Sequence, residues 1–119
     1  MHWYMAKLIY QIVSGDGRHK PQFDEQLRLV GAVSAADAFD RAHCMGKQNE
    51  ISFVNEKQQP VKWEFVDIAE LYKLPALQDG AEINSRFSET DNAGLFIDIT
   101  HRKAAQIRSS MEELSIETI

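Results

Sequence analysis

Apolar residues alternate with polar or mixed residues along the first third of the chain, as they do in a half-buried β-strand. From Trp3 to Val13, one set of alternate positions is entirely apolar, and it consists of Tyr4, Ala6, Leu8, Tyr10 and Ile12. The segment 14–17 contains two glycines and an aspartate, which is typical of a turn. Alternation then resumes between Phe23 and Val33. The pattern predicts two strands that pair antiparallel through the intervening loop.

The apolar period changes to three and four residues after Val33, which is typical of an amphipathic helix. The apolar positions are Ala35, Ala38, Phe39, Ala42 and Met45. Ser34 is expected to cap the helix, because its hydroxyl can accept a hydrogen bond from the backbone N–H of Asp37. Gly46 is expected to end it. The sequence therefore predicts one main helix between these two residues.

Three further strands are predicted downstream, at 51–54, from Val61 onward, and at 82–88. The segment 67–74 has two interpretations, because its apolar residues fit both a helical stripe and a strand. We favour a strand that continues from Val61, with a β-bulge shifting its phase. Trp63 lies among the most apolar residues of this strand, and we expect it to be buried.

The composition changes after Ser88, where residues 89–94 form a polar, glycine-containing linker. Residues 95–99 could form a short strand. Ala104, Ile107, Met111 and Leu114 recur at helical spacing and predict a short C-terminal helix. The expected fold is therefore α+β: an antiparallel sheet of about five strands with one main helix on one face. This single domain spans residues 1–88, and residues 89–119 form a C-terminal extension.

Composition and charge narrow the possible functions. The chain has 119 residues, 44% of them hydrophobic, which suits one globular domain. It carries 13 basic and 18 acidic residues, for a net charge of -5, which argues against nucleic acid as a partner. One cysteine excludes a disulfide within the chain. No apolar run has membrane-spanning length and no signal peptide is evident, so we expect a cytoplasmic protein without a membrane partner.

Candidate catalytic and metal-binding residues are few. The four histidines show no metal-ligand spacing. His43 and Cys44 are adjacent on the predicted helix, where neighbours point about 100° apart and cannot form a nucleophile–base pair. Glu64, Asp67 and Glu70 would share one face of a helix, but a spacing of three on a strand sends successive residues to opposite faces. We therefore predict no catalytic, cofactor-binding or metal-binding residue, and the sequence favours a non-enzymatic protein.

The sheet face that the main helix does not cover is the most informative feature. We expect the helix to cover Tyr4, Leu8, Tyr10, Leu27, Leu29, Trp63 and Phe65. The opposite face would then carry large apolar groups and both charge signs, including Gln11, Arg28, Lys62 and Glu82. Its candidate interface residues are Trp3, Met5, Lys7, Ile9, Glu64, Asn84 and Arg86. Such a mixed surface is typical of an interface. The alternative is an ordinary solvated face with cross-strand charge pairs, and a bulge would exchange the two sets of residues.

Several short blocks resemble the bacterial domain of unknown function 4288. They are the segments 4–8, 53–56, 61–66 with Leu71 and Tyr72, 79–83, and 85–87. The resemblance covers about residues 3–88 and does not extend to the C-terminal extension. It implies a small cytoplasmic α+β domain, supports the strand interpretation of residues 67–74, and brings no established activity, cofactor or catalytic residue.

These observations favour a non-enzymatic binding or assembly module that acts as a homodimer or on a protein partner. The alternative is a small enzyme or ligand-binding domain with a pocket between helix and sheet, where Tyr4, Tyr10 and Trp63 would converge. The C-terminal extension could pack on its own sheet or on that of a second copy.

Overall fold

The computed structural model describes the backbone of residues 1–117 and the side chains of residues 1–112. The chain forms two compact units, Met1–Asn84 and Ser85–Ile119. The elements of the first unit are β1 (His2–Ser14), β2 (Gln22–Ala32), α1 (Ala35–Gln48), β3 (Ile51–Val54) and β4 (Pro60–Lys73). The second unit contains α2 (Ala93–Glu117). The α+β class predicted from the sequence is confirmed.

The four strands form one antiparallel sheet in the order β2-β1-β4-β3. The predicted pairing of β1 with β2 is confirmed. Strand β4 runs without a break through residues 67–73, as the strand interpretation required. Its register against β1 shifts twice, between Lys7 and Leu8 and between Ile9 and Tyr10. These two shifts are the bulges that alternation alone did not locate.

Helix α1 packs on one face of this sheet. Ser34 caps it as predicted, and its Oγ accepts a hydrogen bond from the backbone N–H of Asp37 at 3.1 Å. The prediction that Gly46 ends the helix is wrong, since α1 continues to Gln48 and is capped by Asn49. Gly46 is needed inside the helix because the ring of Phe65 lies against it.

The core between α1 and the sheet contains mainly aromatic residues and alanines. Its buried members are Tyr4, Ala6, Leu8, Tyr10, Val30, Ala32, Ala38, Ala42 and Phe65. The hydroxyl of Tyr10 donates a hydrogen bond to the Gly46 carbonyl at 2.9 Å inside this core. Trp63 packs against the core but is only half-buried, contrary to the expectation of full burial. Its indole Nε1–H donates to Asp24 at 3.2 Å, which keeps one edge of the ring near the surface.

Two of the predicted strands do not form. Residues 82–88 contain no strand, so the described chain has four strands instead of about five. Residues 95–99 belong to α2, where the side chain of Asn92 accepts a hydrogen bond from the backbone N–H of Leu95 at 3.0 Å and caps the helix. The predicted C-terminal helix is confirmed and is longer than expected, while the side chain of Leu114 lies outside the described residues.

The two faces of β2 are exchanged relative to the prediction. Leu29 pairs with Met5 and Leu27 pairs with Lys7, so both leucines lie on the face opposite α1. Arg28 pairs with Ala6 and lies on the side of α1. The helix follows β2 directly and ends beside Phe65 of β4, so it crosses the sheet and leaves the first half of β2 uncovered. The first half of β2 therefore carries polar side chains on the α1 side of the sheet, because α1 does not cover them there.

Candidate functional site

The sheet face opposite α1, called the second face below, carries the candidate site. Directly paired residues on neighbouring strands point to the same side of a sheet. The pairings therefore group Trp3, Met5, Lys7, Ile9 and Gln11 of β1 with Phe23, Glu25, Leu27 and Leu29 of β2 and with Lys62, Glu64, Asp67, Glu70 and Tyr72 of β4. Five of the seven candidate interface residues lie on this face.

Asn84 and Arg86 are the two exceptions. The alternating pattern of residues 82–88 predicts a fifth strand that would carry both side chains, but no strand forms there. Asn84 belongs to the first unit and Arg86 to the second. Strand alternation therefore does not assign either side chain to the second face.

One end of the second face is apolar. This apolar end consists of Trp3, Met5, Leu27, Leu29 and Tyr72. Met5 is buried at 5% exposure between its register partners, whereas Leu27 and Leu29 are 56% and 51% exposed. Sequence reasoning missed the two leucines because it assigned them to the α1 side. Their presence enlarges the apolar surface.

The ring of Trp3 is fixed across the neighbouring strand. Gly31 is its register partner, and a Cβ built on Gly31 would lie 3.1 Å from the Trp3 ring. The absence of a side chain at this position lets the indole approach the backbone of β2 closely. The pairing therefore presents a broad aromatic surface, 39% exposed, at the apolar end.

The remainder of the second face, called the charged end, begins at Lys7. The Lys7 ammonium lies 3.3 Å from Glu70 and 4.0 Å from Glu25, and its side chain is only 11% exposed. Further along, Lys62 forms an ion pair with Glu64 at 2.9 Å, and this hydrogen-bonded contact raises the pKa of Lys62. With Asp67 included, the charged end holds two lysines and four carboxylates, a net charge of −2.

Glu64, Asp67 and Glu70 lie on the same face, which the sequence analysis did not expect. They pair with Gln11, Ile9 and Lys7, three alternate residues of β1. Each of the two bulges adds one residue to β4, and this extra residue returns the next carboxylate to the second face. In the part of the chain that the structure describes, no three His, Cys, Asp or Glu side chains are grouped to hold a metal ion.

His43 and Cys44 do not face each other. The His43 ring contacts Phe65 edge-on, with their centroids 5.4 Å apart. Cys44 is exposed on the outer surface of α1, in a shallow depression that Asp40 and Arg41 also line. The two side chains therefore diverge, as adjacent helical residues do.

A shallow cleft of about 350 Å³ lies where β3 begins beside β4. It is lined by Glu50, Ile51, Ser52, Lys62, Trp63, Glu64 and Phe65. Glu50 accepts a hydrogen bond from the backbone N–H of Phe65 at 2.9 Å, and Trp63 stacks on Phe53. This cleft lies at the edge of the sheet, whereas Tyr4 and Tyr10 are buried under α1.

An antiparallel sheet covered on one face by a helix, with a mixed apolar and charged opposite face, defines the first unit as a small two-layer α+β domain. Its sequence matches the family model for the domain of unknown function DUF4288 over residues 3–85. The chain belongs to this family. Searches of curated proteins and of solved structures gave no significant match. Among the described helices, none combines the length and apolar character needed to cross a bilayer.

Proposed function

We propose that this protein is a non-enzymatic binding or assembly module whose contact surface is the second face. The observation that carries the proposal is the exposed apolar end, where Trp3, Leu27, Leu29 and Tyr72 are 39–56% exposed side by side. Contiguous apolar surface rimmed by polar groups marks contact sites on soluble proteins. A cytoplasmic location and self-association are part of this proposal.

The charges on the second face also suit an interface. Lys7 is largely withdrawn from water but has carboxylates on both neighbouring strands. A buried charge that is already paired costs less on binding than an isolated one. The charged end can therefore lie at the margin of a contact and fix its orientation without opposing association.

Part of one sheet edge is closed to strand addition, which favours the face as the contact surface. Strand β3 pairs only with residues 60–63 of β4. Beyond it, the backbone N–H groups of Phe65 and Ile68 donate to the carboxylates of Glu50 and Asp67. Occupied amides and bulges are the features by which natural sheets discourage edge pairing.

Sedimentation equilibrium of the full chain from about 1 to 500 μM tests the proposal, since this range covers weak protein association. We expect self-association that Leu29→Glu weakens at least tenfold, because the substitution places a charge within the apolar end. Phe39→Glu is the matched control, since Phe39 is 42% exposed on α1, across the sheet from the second face. A concentration-independent monomer, or equal effects of both substitutions, would contradict the proposal.

A second candidate function rests on the edge cleft. Trp63, whose ring stacks on Phe53, lines this cleft beside Glu50 and Lys62 and could hold a small planar molecule that carries polar groups. Quenching of Trp63 fluorescence by such molecules, compared with the Phe53→Ala variant, tests this alternative.

A further inference from the structure

We propose that the occupant of the second face is helix α2 of a second copy of this chain, donated reciprocally in a two-fold dimer. The inference rests on the proposed function, because it requires the second face to be a contact surface. Beyond the proposed function, the inference specifies which element of the second copy binds the second face and in which direction it lies.

Helix α2 has an apolar stripe that needs a partner. At about 100° per residue, Ile97, Thr100, Ala104, Ile107 and Met111 fall on one side of the helix. Ile97, Ile107 and Met111 are 53%, 60% and 54% exposed. Helices of globular proteins gain most of their stability by packing such a stripe against another element. The stripe therefore indicates a packing surface.

The dimensions of the helix and the face agree. The 25 residues of α2 span about 37 Å at 1.5 Å per residue. The 11 paired residues of β1 and β2 span about 36 Å at 3.3 Å per residue. A helix about 10 Å wide can thus lie along the central strand and cover roughly 360 Å².

If each protomer donates its α2 to the other, the surface area buried per protomer approaches that of a stable dimer. Each chain would contribute one sheet face and one helix, for roughly 720 Å² per protomer when two such footprints are combined. Standard protein interfaces bury about 800 Å² per partner. Exchange of an identical element between protomers also generates the closed two-fold symmetry of most dimers.

Charge complementarity sets the direction of the docked helix. Lys103 and Arg108 flank the apolar stripe on its two sides, at helical angles that straddle Ile107. The charged end of the second face has a net charge of −2, with Glu25 on one side of β1 and Asp67 on the other. The apolar first turn of α2, residues 95–97, would then lie over the apolar end, and the two bases would lie over the carboxylates.

Cysteine cross-linking between two full-length variants tests this arrangement. Both carry Cys44→Ser, which removes the chain's single native thiol. One adds Leu29→Cys on the second face, and the other adds Thr100→Cys in the N-terminal half of the stripe. We expect a disulfide-linked dimer of the two variants on mixing under mild oxidation. The control replaces Thr100→Cys with Ser109→Cys, on the opposite side of α2, and should give at least fivefold less product.

A third chain that carries both Leu29→Cys and Thr100→Cys separates the possible occupants. Intermolecular products support the proposal, and a purely intramolecular bond overturns it in favour of docking within one chain. Products of Leu29→Cys with itself would instead show direct stacking of two sheets. That result overturns the choice of α2 and leaves the proposed function standing. A concentration-independent monomer in sedimentation would defeat the proposed function itself.

Discussion

The ring of Phe65 lies directly against the backbone of Gly46, so that β4 and the last turn of α1 approach more closely than any side chain would allow. A Cβ at Gly46 would overlap the Phe65 ring. The hydroxyl of Tyr10 donates to the carbonyl of the same glycine at 2.9 Å. One helical glycine thus joins the helix to two adjacent strands.

We expect Gly46→Ala to destabilise the protein by about 1–2 kcal/mol. Overpacking in a core costs about 1–3 kcal/mol, and the higher helix propensity of alanine returns up to about 1 kcal/mol. Chemical denaturation measures the difference. Gly94→Ala is the matched control, because its new Cβ would meet its nearest neighbour at an ordinary 3.7 Å. A stabilised Gly46→Ala protein would show that α1 can shift freely on the sheet.

Ionisation of the Tyr10 hydroxyl should lower the free energy of unfolding at alkaline pH. Burial raises the pKa of its hydroxyl above 10.0, with Glu50 and Asp24 adding to the effect and Arg28 opposing it. Because the folded state holds this proton more tightly than the unfolded state, the stabilisation is complete below pH 10 and is lost as the pH rises through the folded pKa.

The Tyr10→Phe variant checks both parts of this expectation. At pH 8 it should lose about 1 kcal/mol with its buried hydrogen bond. Between pH 10 and 11 its stability should decline less steeply than that of the wild type. Parallel pH profiles for Tyr10→Phe and the wild type would contradict the assignment.

The elements that could be predicted from the sequence are those whose signals lie within a short stretch of the chain. Ser34 and the spacing of the alanines define α1, and alternation defines β1, because both signals lie within a few neighbouring residues. Residues 82–88 also alternate, yet no strand forms there. Alternation indicates only which side chains of a strand would share a face. A strand also needs a neighbouring strand for its backbone hydrogen bonds, and the alternating pattern does not show whether one is present.

The candidate face was only partly predictable for a related reason. Trp3, Met5 and Ile9 lie on the sheet face that the alternation within β1 predicts. Leu29 was assigned to the wrong side because the phase of β2 depends on its pairing with Met5, a contact between distant residues. A slip of one residue exchanges both faces of a strand, and sequence alternation cannot detect it.

Cys44 should behave as an ordinary exposed thiol. It lies on the outer surface of α1, and the neighbouring His43 ring packs on Phe65 instead of facing it. We expect Ellman's reagent to label the folded protein at about the rate of a free model thiol, and His43→Gln to leave that rate unchanged. Labelling more than tenfold faster, with a dependence on His43, would reveal an activated cysteine.

Lys7 and Glu70 should be coupled more strongly than a surface ion pair of similar length. Their atoms are 3.3 Å apart with side chains 11% and 28% exposed, whereas Arg18 and Asp16 are 3.2 Å apart with side chains 90% and 67% exposed. Water screens the exposed pair and screens the withdrawn pair much less. A double-mutant cycle on each pair measures its coupling free energy. Because the two distances are nearly equal, a difference between the couplings reports the difference in solvent exposure.

The first cycle uses Lys7→Met and Glu70→Gln, and the second uses Arg18→Met and Asp16→Asn. We expect a coupling free energy of about 1–2 kcal/mol for the first pair and under about 0.5 kcal/mol for the second, measured by urea denaturation. Raising the salt concentration to 1 M should reduce the second value by a larger fraction, because the exposed pair is open to counterions. Equal couplings would mean that Lys7 is solvated in the folded protein. It would then be a poor centre for a surface that a second protein chain covers.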